Sequence, residues 1–213
     1  MVKQKLTNDE KKSRIKFCQE ILENQDEITE SFWADETGVW LSDMTKNKVW
    51  ALKDQGKFSA PISDVKVNIW AAVSIKGATS LYIYHQNLNG TLYSQILQER
   101  RQQMDKLMPR GYYYFHDKSK IHISKAVNDW AKDNQFLLNL IPVKSSDLNP
   151  VENLWAWLKR SVAKDSPRNE AALIRSLNKN WKKVDKDFIL PFMTSIRDRC
   201  NQCIERKGDY TDY

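Results

Sequence analysis

The chain has 213 residues, enough for one domain of good size or for one domain with a small appendage. Hydrophobic residues make up 41% of it, including eight Trp, eight Tyr and seven Phe, which excludes a largely disordered chain. The formal charge of +7 favours a polyanionic partner such as nucleic acid. No apolar run approaches the length of a membrane span and no signal-peptide pattern is present, so we expect an intracellular protein with no membrane partner.

The first third of the chain predicts a helix, two strands and a long loop. Residues 5–23 have the periodicity of an amphipathic helix with a charged outer face, and we interpret residues 1–28 as a peripheral linker helix. Residues 29–42 alternate and are rich in aromatic side chains, which predicts a strand, a turn near Gly38 and a second strand. Residues 43–66 are polar and Lys-rich and predict a long loop, a kind of segment that is usually functional.

The rest of the chain changes from consecutive strands to alternating strands and helices. The predicted strands cover residues 67–76, 79–85, 112–117 and 136–141, the first two joined by a hairpin around Lys76-Gly77. The predicted helices cover residues 92–107, 123–134, 150–164, 169–182 and 187–206. Consecutive strands favour antiparallel hairpins, and later alternation favours parallel crossovers. The sequence therefore predicts an α/β fold, a mixed sheet flanked by helices on both faces.

Three acidic residues stand out by their positions. Two lie in predicted strands, where an uncompensated charge would be costly, and the third lies on a predicted helix from which its side chain can reach the sheet. Asp35 follows an apolar strand segment, and Asp117 ends the aromatic strand at 112–117. A bound cation would compensate both charges, and carboxylate oxygens suit Mg²⁺ or Mn²⁺. Glu152 opens a predicted amphipathic helix and borders its apolar stripe, so it can lean back toward the ends of the strands.

Each of these acids has a structural alternative that the residues alone leave open. Asp35 or Asp117 can be a turn-forming acid at a strand end, which is the commoner role of a single aspartate. Glu152 fits a capping box with Asn149, because Pro150 occupies the first turn between them. A capping role and a metal-binding role do not exclude each other.

The combination of these segments resembles the catalytic domain of Tc1/mariner DNA transposases. The segment 33–37 (WADET) resembles the first block of that family, a hydrophobic strand that ends in Asp-Glu. His116-Asp117, with His122 five residues further on, resembles the second block. The most specific match is the segment 146–155 (SDLNPVENLW).

Spacing and the chain's last residues extend the resemblance over nearly the whole sequence. Between Asp117 and Glu152 lie 34 residues, the spacing of the Asp-Asp-34-Glu branch of the family. The segment 208–213 (GDYTDY) resembles the family's extreme C-terminus. Two blocks depart from the family pattern: 116–120 (HDKSK) replaces the usual Gln-Asp-Asn-Ala-Pro, and 145–147 (SSD) replaces Ser-Pro-Asp. Neither departure removes a carboxylate.

The resemblance implies an RNase H-like fold with Asp35 on the central strand, Asp117 at the end of a neighbouring strand and Glu152 on a facing helix. It implies that these three residues are catalytic and bind two Mg²⁺ or Mn²⁺ ions, with Asp35 shared between the ions. The implied reaction is cut-and-paste DNA transposition by an endonuclease and strand-transfer enzyme. Water cleaves the DNA at the transposon ends, and the freed 3′-hydroxyl then attacks target DNA at TA dinucleotides.

Two groups of neighbouring residues have supporting roles in this interpretation. Residues expected to hold the carboxylates in place, or to be structural, are Glu36, Asp147, Asn149 and His122, with simple packing equally open for His122. Residues expected to contact DNA phosphates are Lys118, Lys120, Lys159, Arg160 and Lys164, with a merely solvated basic face as the alternative. Lys118 has a further alternative, since its charge beside Asp117 could weaken metal binding.

The resemblance divides the chain into the linker helix at 1–28 and a catalytic domain at 29–213, without the family's N-terminal helix-turn-helix DNA-binding region. The loop at 43–66 corresponds in position to the mariner clamp loop, which reaches the partner subunit. We therefore expect transposon-end and target DNA as partners, and a homodimer on paired ends, with a monomer as the alternative for this chain alone. For a eukaryotic protein the expected location is the nucleus.

Two other hypotheses compete with an active transposase. A catalytically inactive descendant could serve as a DNA-binding or interaction module, which Lys118 and the absent N-terminal region leave open. An RNase H-like nuclease acting on RNA–DNA hybrids conflicts with the block at 147–155 and with the C-terminal match. The intact set of Asp35, Asp117 and Glu152 favours the transposase.

Overall fold

The computed structural model describes residues 4–24, 26–44 and 65–213. The loop predicted at 43–66, with its lysines Lys46, Lys48, Lys53 and Lys57, lies almost entirely outside the described residues. No helix in the described part of the chain is both long enough and apolar enough to cross a membrane.

The helices and strands follow the predicted order closely. The helices are α1 Asn8–Glu23, α2 Asp26–Thr29, α3 Leu41–Met44, α4 Gly90–Leu107, α5 Lys125–Asp133, α6 Val151–Asp165, α7 Glu170–Trp181 and α8 Lys186–Glu205. The strands are β1 Ser31–Trp40, β2 Lys66–Ser74, β3 Gly77–Ala78, β4 Tyr82–Tyr84, β5 Tyr113–Asp117 and β6 Leu138–Ile141. A single 3-10 turn, Ser146–Leu148, precedes α6.

The strands form one mixed sheet in the order β3-β2-β1-β5-β6, with β4 also paired to β2. Strand β2 is antiparallel to β1, β3 and β4, whereas β5 is parallel to both β1 and β6. The early hairpins and the later crossovers both form as the sequence predicts. The mixed sheet flanked by helices on both faces is thereby confirmed.

The predicted turn near Gly38 is wrong, because β1 is a single continuous strand. Gly38 stays in the ladder opposite Asn68. The Lys66 side chain crosses the strand at Gly38, where a Cβ atom would collide with the Cε atom of Lys66. The glycine therefore leaves room for the Lys66 side chain and marks no turn.

Side chains that alternate along β1 divide the core between the two faces of the sheet. Trp33 and Val39 pack in the cluster that contains α1, α6, α7 and α8. Phe32 and Ala34 pack in the opposite cluster with α4 and α5. Because the side-chain period of a strand is two, Asp35 points to the same face as Trp33, toward α6.

Helix α1, expected to be a peripheral linker, packs into the first of these clusters through Phe17, Cys18 and Ile21. Its Arg14 is fully buried and forms a bidentate ion pair with Asp147, with nitrogen–oxygen distances of 2.8 and 2.7 Å. Burial opposes both charges, but the pairing outweighs it, raising the pKa of Arg14 and lowering the pKa of Asp147. The amphipathic pattern misjudged this helix because it counted Arg14 with the solvated face.

The C-terminal segment 208–213 completes the environment of this ion pair. The Arg14 Nε group donates to the carbonyl oxygen of Gly208 at 2.9 Å, and the Thr211 amide donates to the Asp147 carboxylate at 2.8 Å. Gly208 has φ +84° and lies so close to the Lys11 carbonyl of α1 that a Cβ atom would clash with it. We call Arg14, Asp147 and the segment 208–213 the terminal clasp.

Removing one partner of the clasp leaves a buried charge without compensation. We expect Arg14→Met to lower the free energy of unfolding by about 3–5 kcal/mol in urea titrations, and the double variant Arg14→Met/Asp147→Leu to lose less than the sum of the two single variants. The exposed Lys12→Ala on the same helix is the control and should change the value by less than about 0.5 kcal/mol. Equal, small losses for Arg14→Met and Lys12→Ala would contradict the role of the clasp.

Candidate active site

Two of the three acids lie side by side on parallel strands. Strands β1 and β5 pair with Trp33 opposite Phe115. Two residues further along each strand, on the same face, come Asp35 and Asp117, and β1 and β5 are neighbours in the sheet. Strand register alone therefore brings together two carboxylates that are far apart in the sequence.

Helix α6 supplies the third acid, and hydrogen bonds from the helix and from the turn before it join this part of the chain to β1. The indole Nε1–H of Trp155 donates to Asp35 Oδ2 at 3.2 Å. The Asn149 side-chain amide donates to the carbonyl oxygen of Ala34 at 3.4 Å. Glu152 lies in the first turn of the helix, between these two contacts in the sequence. Asp35, Asp117 and Glu152 all line one cavity of about 310 Å³.

The capping-box alternative for Glu152 does not match the start of α6. The helix has no side-chain cap, and Pro150 occupies the N-cap position. The Asn149 side-chain oxygen accepts from the amide of Val151 at 3.1 Å, and the Asn149 amide donates to the Ser146 carbonyl at 3.1 Å. For Asp117 the turn role does exist beside its place in the cavity, since Oδ1 accepts from the Ser119 amide at 3.1 Å.

Electrostatics mark Asp35 as the most strained of the three acids. Burial is the main cause that raises its pKa well above the usual range, and the negative charges of Glu152, Glu36 and Asp117 raise it further. Burial also raises the pKa of Glu152; the Lys159 ammonium opposes the shift and Asp117 adds to it. The mutual repulsion of these carboxylates is what a cation in the cavity would relieve.

His122 binds Asp117 and is not among the residues that line the cavity. Its Nδ1 lies 2.6 Å from Asp117 Oδ1, and its Nε2 lies 3.2 Å from Glu36 Oε1. Burial alone would lower the pKa of His122, but the hydrogen bonds to the two carboxylates outweigh it and raise the pKa to about 10. The imidazolium stacks near Tyr93 and His116, with ring centroids 4.1 and 4.8 Å away.

Charged His122 in turn lowers the pKa of Asp117, although burial opposes the shift. His116, one residue before Asp117, behaves in the opposite way, because burial and the nearby charge of His122 lower its pKa to about 3. His116 is therefore neutral, and its Nδ1 shares a hydrogen bond with the Tyr93 hydroxyl at 3.0 Å.

The basic residues proposed for DNA contacts fall into three positions. Lys118 lines the cavity itself, whereas Lys120 is exposed and outside the cavity lining. Lys159 is half-buried, and its Nζ donates to the Thr37 hydroxyl at 2.7 Å, between α6 and β1. Arg160 and Lys164 are exposed on α6.

The remaining residues expected to support the carboxylates separate into two groups. Asn149 and Glu36 lie at the site. Asn149 donates a hydrogen bond to the Ala34 carbonyl, next to Asp35, and Glu36 forms a hydrogen bond with His122, which also binds Asp117. Asp147 does not line the cavity and instead anchors the terminal clasp.

Sequence reasoning missed the direct contact of Trp155 with Asp35. A signal for it was present, because Trp155 stands three residues after Glu152 and shares its helix face. Sequence reasoning also missed one wall of the cavity, the segment 141–146 between β6 and α6. Residues 142–144 of that segment belong to no predicted element and to no matched block, so only the elements that flank them reveal their place.

Neutralising Asp35 should stabilise the metal-free protein. The folded state binds the Asp35 proton more tightly than the unfolded chain, so wild-type stability falls as the pH rises above about 4, the unfolded pKa. Asp35→Asn removes this loss and keeps an acceptor for Trp155, so at pH 8 in EDTA we expect its free energy of unfolding to exceed wild type by about 1 kcal/mol. The exposed Asp133→Asn is the control, and a variant no more stable than wild type would refute the strain at Asp35.

The pair of His122 with two carboxylates should give stability a dependence on alkaline pH. A group with a raised folded pKa contributes its stability fully below its unfolded pKa of about 6.5 and loses it as the pH rises through the folded value of about 10. We expect the stability difference between wild type and His122→Gln to be largest near pH 6 and to shrink toward pH 10 in urea titrations. The control Gln86→Ala, at an exposed residue without charge, should show no such trend. A constant difference for His122→Gln across this range would show that its charge is not held in place.

The fold and the site together define a class, an RNase H-like domain with carboxylates from two parallel strands and a facing helix converging on one cavity. A family model described as DDE superfamily endonuclease matches residues 30–174. The Tc3 transposase of Caenorhabditis elegans is 26% identical over 150 residues, covering 69% of this chain and 46% of that protein. The Tc1 transposase of Caenorhabditis elegans is 31% identical over 104 residues, covering 49% of this chain and 38% of that protein.

Solved structures show the same fold. The Mos1 mariner paired end complex with Mn has a TM-score of 0.85 and 16% identity, covering 100% of this chain and 66% of that chain. The catalytic domain of the Mos1 mariner transposase has a TM-score of 0.81 and 16% identity, with 100% of both chains covered. This chain belongs to the DDE superfamily of endonucleases and, within it, to the Tc1/mariner-type transposase catalytic domains. It spans about half the length of the curated relatives it matches.

Proposed function

We propose that this domain cleaves DNA strands at transposon ends and transfers them to target DNA at TA dinucleotides, by cut-and-paste transposition. The observation that carries the proposal is the meeting of Asp35, Asp117 and Glu152 in one cavity of a DDE-family domain. Strand register and helix packing, rather than sequence proximity, create this meeting, which supports a catalytic reason for it.

The donor set fits two Mg²⁺ or Mn²⁺ ions. Three carboxylates offer hard oxygen ligands, and burial and the neighbouring carboxylates, which raise the pKa of Asp35, disfavour an ionised form that a cation would stabilise. Asp35, Asp117 and Glu152 would hold the ions. When bound, the ions activate the attacking oxygen and stabilise the leaving one. Within the described residues no three acidic, His or Cys side chains stand close enough to enclose an ion, so binding requires the carboxylates to turn toward one another.

The chain's own residues prepare the carboxylates for this task. Trp155 orients one oxygen of Asp35, and His122 binds Asp117 at the end of β5, where Asp117 also lines the cavity. Lys118, in the cavity wall, is placed to balance the charge of a DNA phosphate. The same charge opposes a bound cation, which is the observation that favours a second candidate, a non-catalytic DNA-binding module.

DNA and a second subunit are the partners in this proposal. The solved Mos1 structures of the same fold include paired-end, pre-cleavage and strand transfer complexes. The sequence's charge of +7 suits the same polyanionic partner, and we propose a homodimer on paired ends that acts in the nucleus of a eukaryotic host.

The test combines metal binding with cleavage of supercoiled DNA in Mg²⁺ or Mn²⁺. We expect Asp35→Asn, Asp117→Asn and Glu152→Gln each to lower the cleavage rate by at least about a hundredfold, and Asp133→Asn to retain wild-type activity. Paramagnetic Mn²⁺ should also quench the fluorescence of Trp155, read as the difference between wild type and Trp155→Phe, and Asp35→Asn should weaken this quenching.

Wild-type cleavage by Asp117→Asn would overturn the assignment of the active site. DNA binding without either Mn²⁺ quenching or cleavage in the wild type would support the non-catalytic module instead. The two readouts are separate, because quenching reports metal at Asp35 whether or not the bound DNA is cut.

A further inference from the structure

We call the cavity lined by Asp35, Asp117 and Glu152 the acid cavity. A second surface feature lies beside it, between helix α1 and strand β6. Two cavities of about 390 and 220 Å³ adjoin each other there and share Phe17, Glu20 and Leu140. The larger of the two also meets the acid cavity. The residues that line both are Lys118, Pro142 and Val143. We call the two cavities together the α1–β6 furrow.

The furrow combines exposed apolar side chains with positive charge. Leu140 is 37% exposed and Val143 is 43% exposed, so both present apolar surface in the furrow. Lys16 and Lys118 supply two ammonium groups, against one carboxylate, that of Glu20, among the residues that line the furrow. Lys16 and Glu20 lie 3.6 Å apart on one face of α1, and both are largely exposed.

The combination of apolar and basic side chains in the furrow suits single-stranded nucleic acid better than a duplex. A duplex keeps its bases stacked inside and presents phosphates outside, so it has no apolar surface to place against Leu140 and Val143. A single strand exposes the faces of its bases together with its phosphates, and single-strand sites pair an apolar platform with a positively charged groove. The furrow offers positive charge beside an aliphatic surface, and it shares Lys118, Pro142 and Val143 with the cavity that the carboxylates line.

We propose that the α1–β6 furrow binds the single strand of DNA that continues from the phosphate in the acid cavity. The proposal rests on the DNA-cleaving function proposed above and adds the path of the strand beside the reacting phosphate. Leu140 and Val143 contact base faces, Lys16 and Lys118 contact phosphates, and Glu20 weakens binding by repelling them.

The alternative occupant is a β-strand from a second copy of the chain, because β6 ends the sheet formed by the described residues. Lysines beside a sheet edge oppose such pairing, and Lys16 and Lys118 flank this one. Charge therefore favours nucleic acid over a second strand, and the experiment includes the oligomeric state as a readout.

Fluorescence anisotropy in EDTA measures binding without cleavage, with a blunt duplex and the same duplex carrying a single-stranded extension of about six nucleotides. We expect the wild type to bind the extended duplex at least about tenfold more tightly than the blunt one. Leu140→Glu should bring this ratio close to one, and Glu20→Gln should raise it about twofold or more. The control is Leu137→Glu on the same edge, 72% exposed and outside the furrow, which should keep the wild-type ratio.

Equal affinity of the wild type for the two duplexes would overturn the proposal, as would ratios unchanged by both Leu140→Glu and Glu20→Gln. A loss of dimer in light scattering with Leu140→Glu, without an effect on the ratio, would assign the furrow to a second copy. If Leu140→Glu fails to fold by circular dichroism, Glu20→Gln decides alone. Failure of metal-dependent cleavage with the extension preference intact would refute the proposed function and not the strand path.

Discussion

The buried ion pair of Arg14 with Asp147 is the interaction on which the geometry of the site depends. Asp147 stands in the turn just before α6, so whatever fixes this carboxylate also fixes the start of the helix that carries Glu152. Arg199 of α8 reinforces that position, donating to the Asp147 carbonyl and to the Asn153 side chain at 2.7 Å each. A bidentate guanidinium pair has a narrow optimum in angle and distance, and inside the core neither partner can exchange the other for water.

The site itself is held together against its own electrostatics. The sheet places Asp35 and Asp117 on adjacent strands, and α6 adds Glu152, although burial and like charge disfavour the ionised form of Asp35. Backbone ladders and the packing of Trp155 fix the side chains despite this cost. A protein that needed only stability would place amides or apolar groups there, so the retained charges indicate a ligand that compensates them.

The sequence was sufficient to single out three acids that line one cavity and to predict the sheet and most helices, because each depends on a local pattern or a fixed spacing. It was insufficient where a single residue serves a distant partner. Gly38 looked like a turn residue because the approach of Lys66 from β2 is invisible in the sequence. Arg14 looked solvated because Asp147 lies 133 residues away. His122 was noted, but its bridge between Asp117 and Glu36 follows from strand order rather than from any motif.

Helix α1 contributes residues both to the terminal clasp and to the furrow. Arg14 and Cys18, four residues apart, face inward to the clasp and the core, while Lys16 and Glu20, also four residues apart, face the furrow. The same rigid helix thus fixes the start of α6 on one side and shapes the surface that adjoins the acid cavity on the other. Any displacement of α1 would shift the third carboxylate and the furrow together, so the position of a bound strand and the position of Glu152 are set by one element.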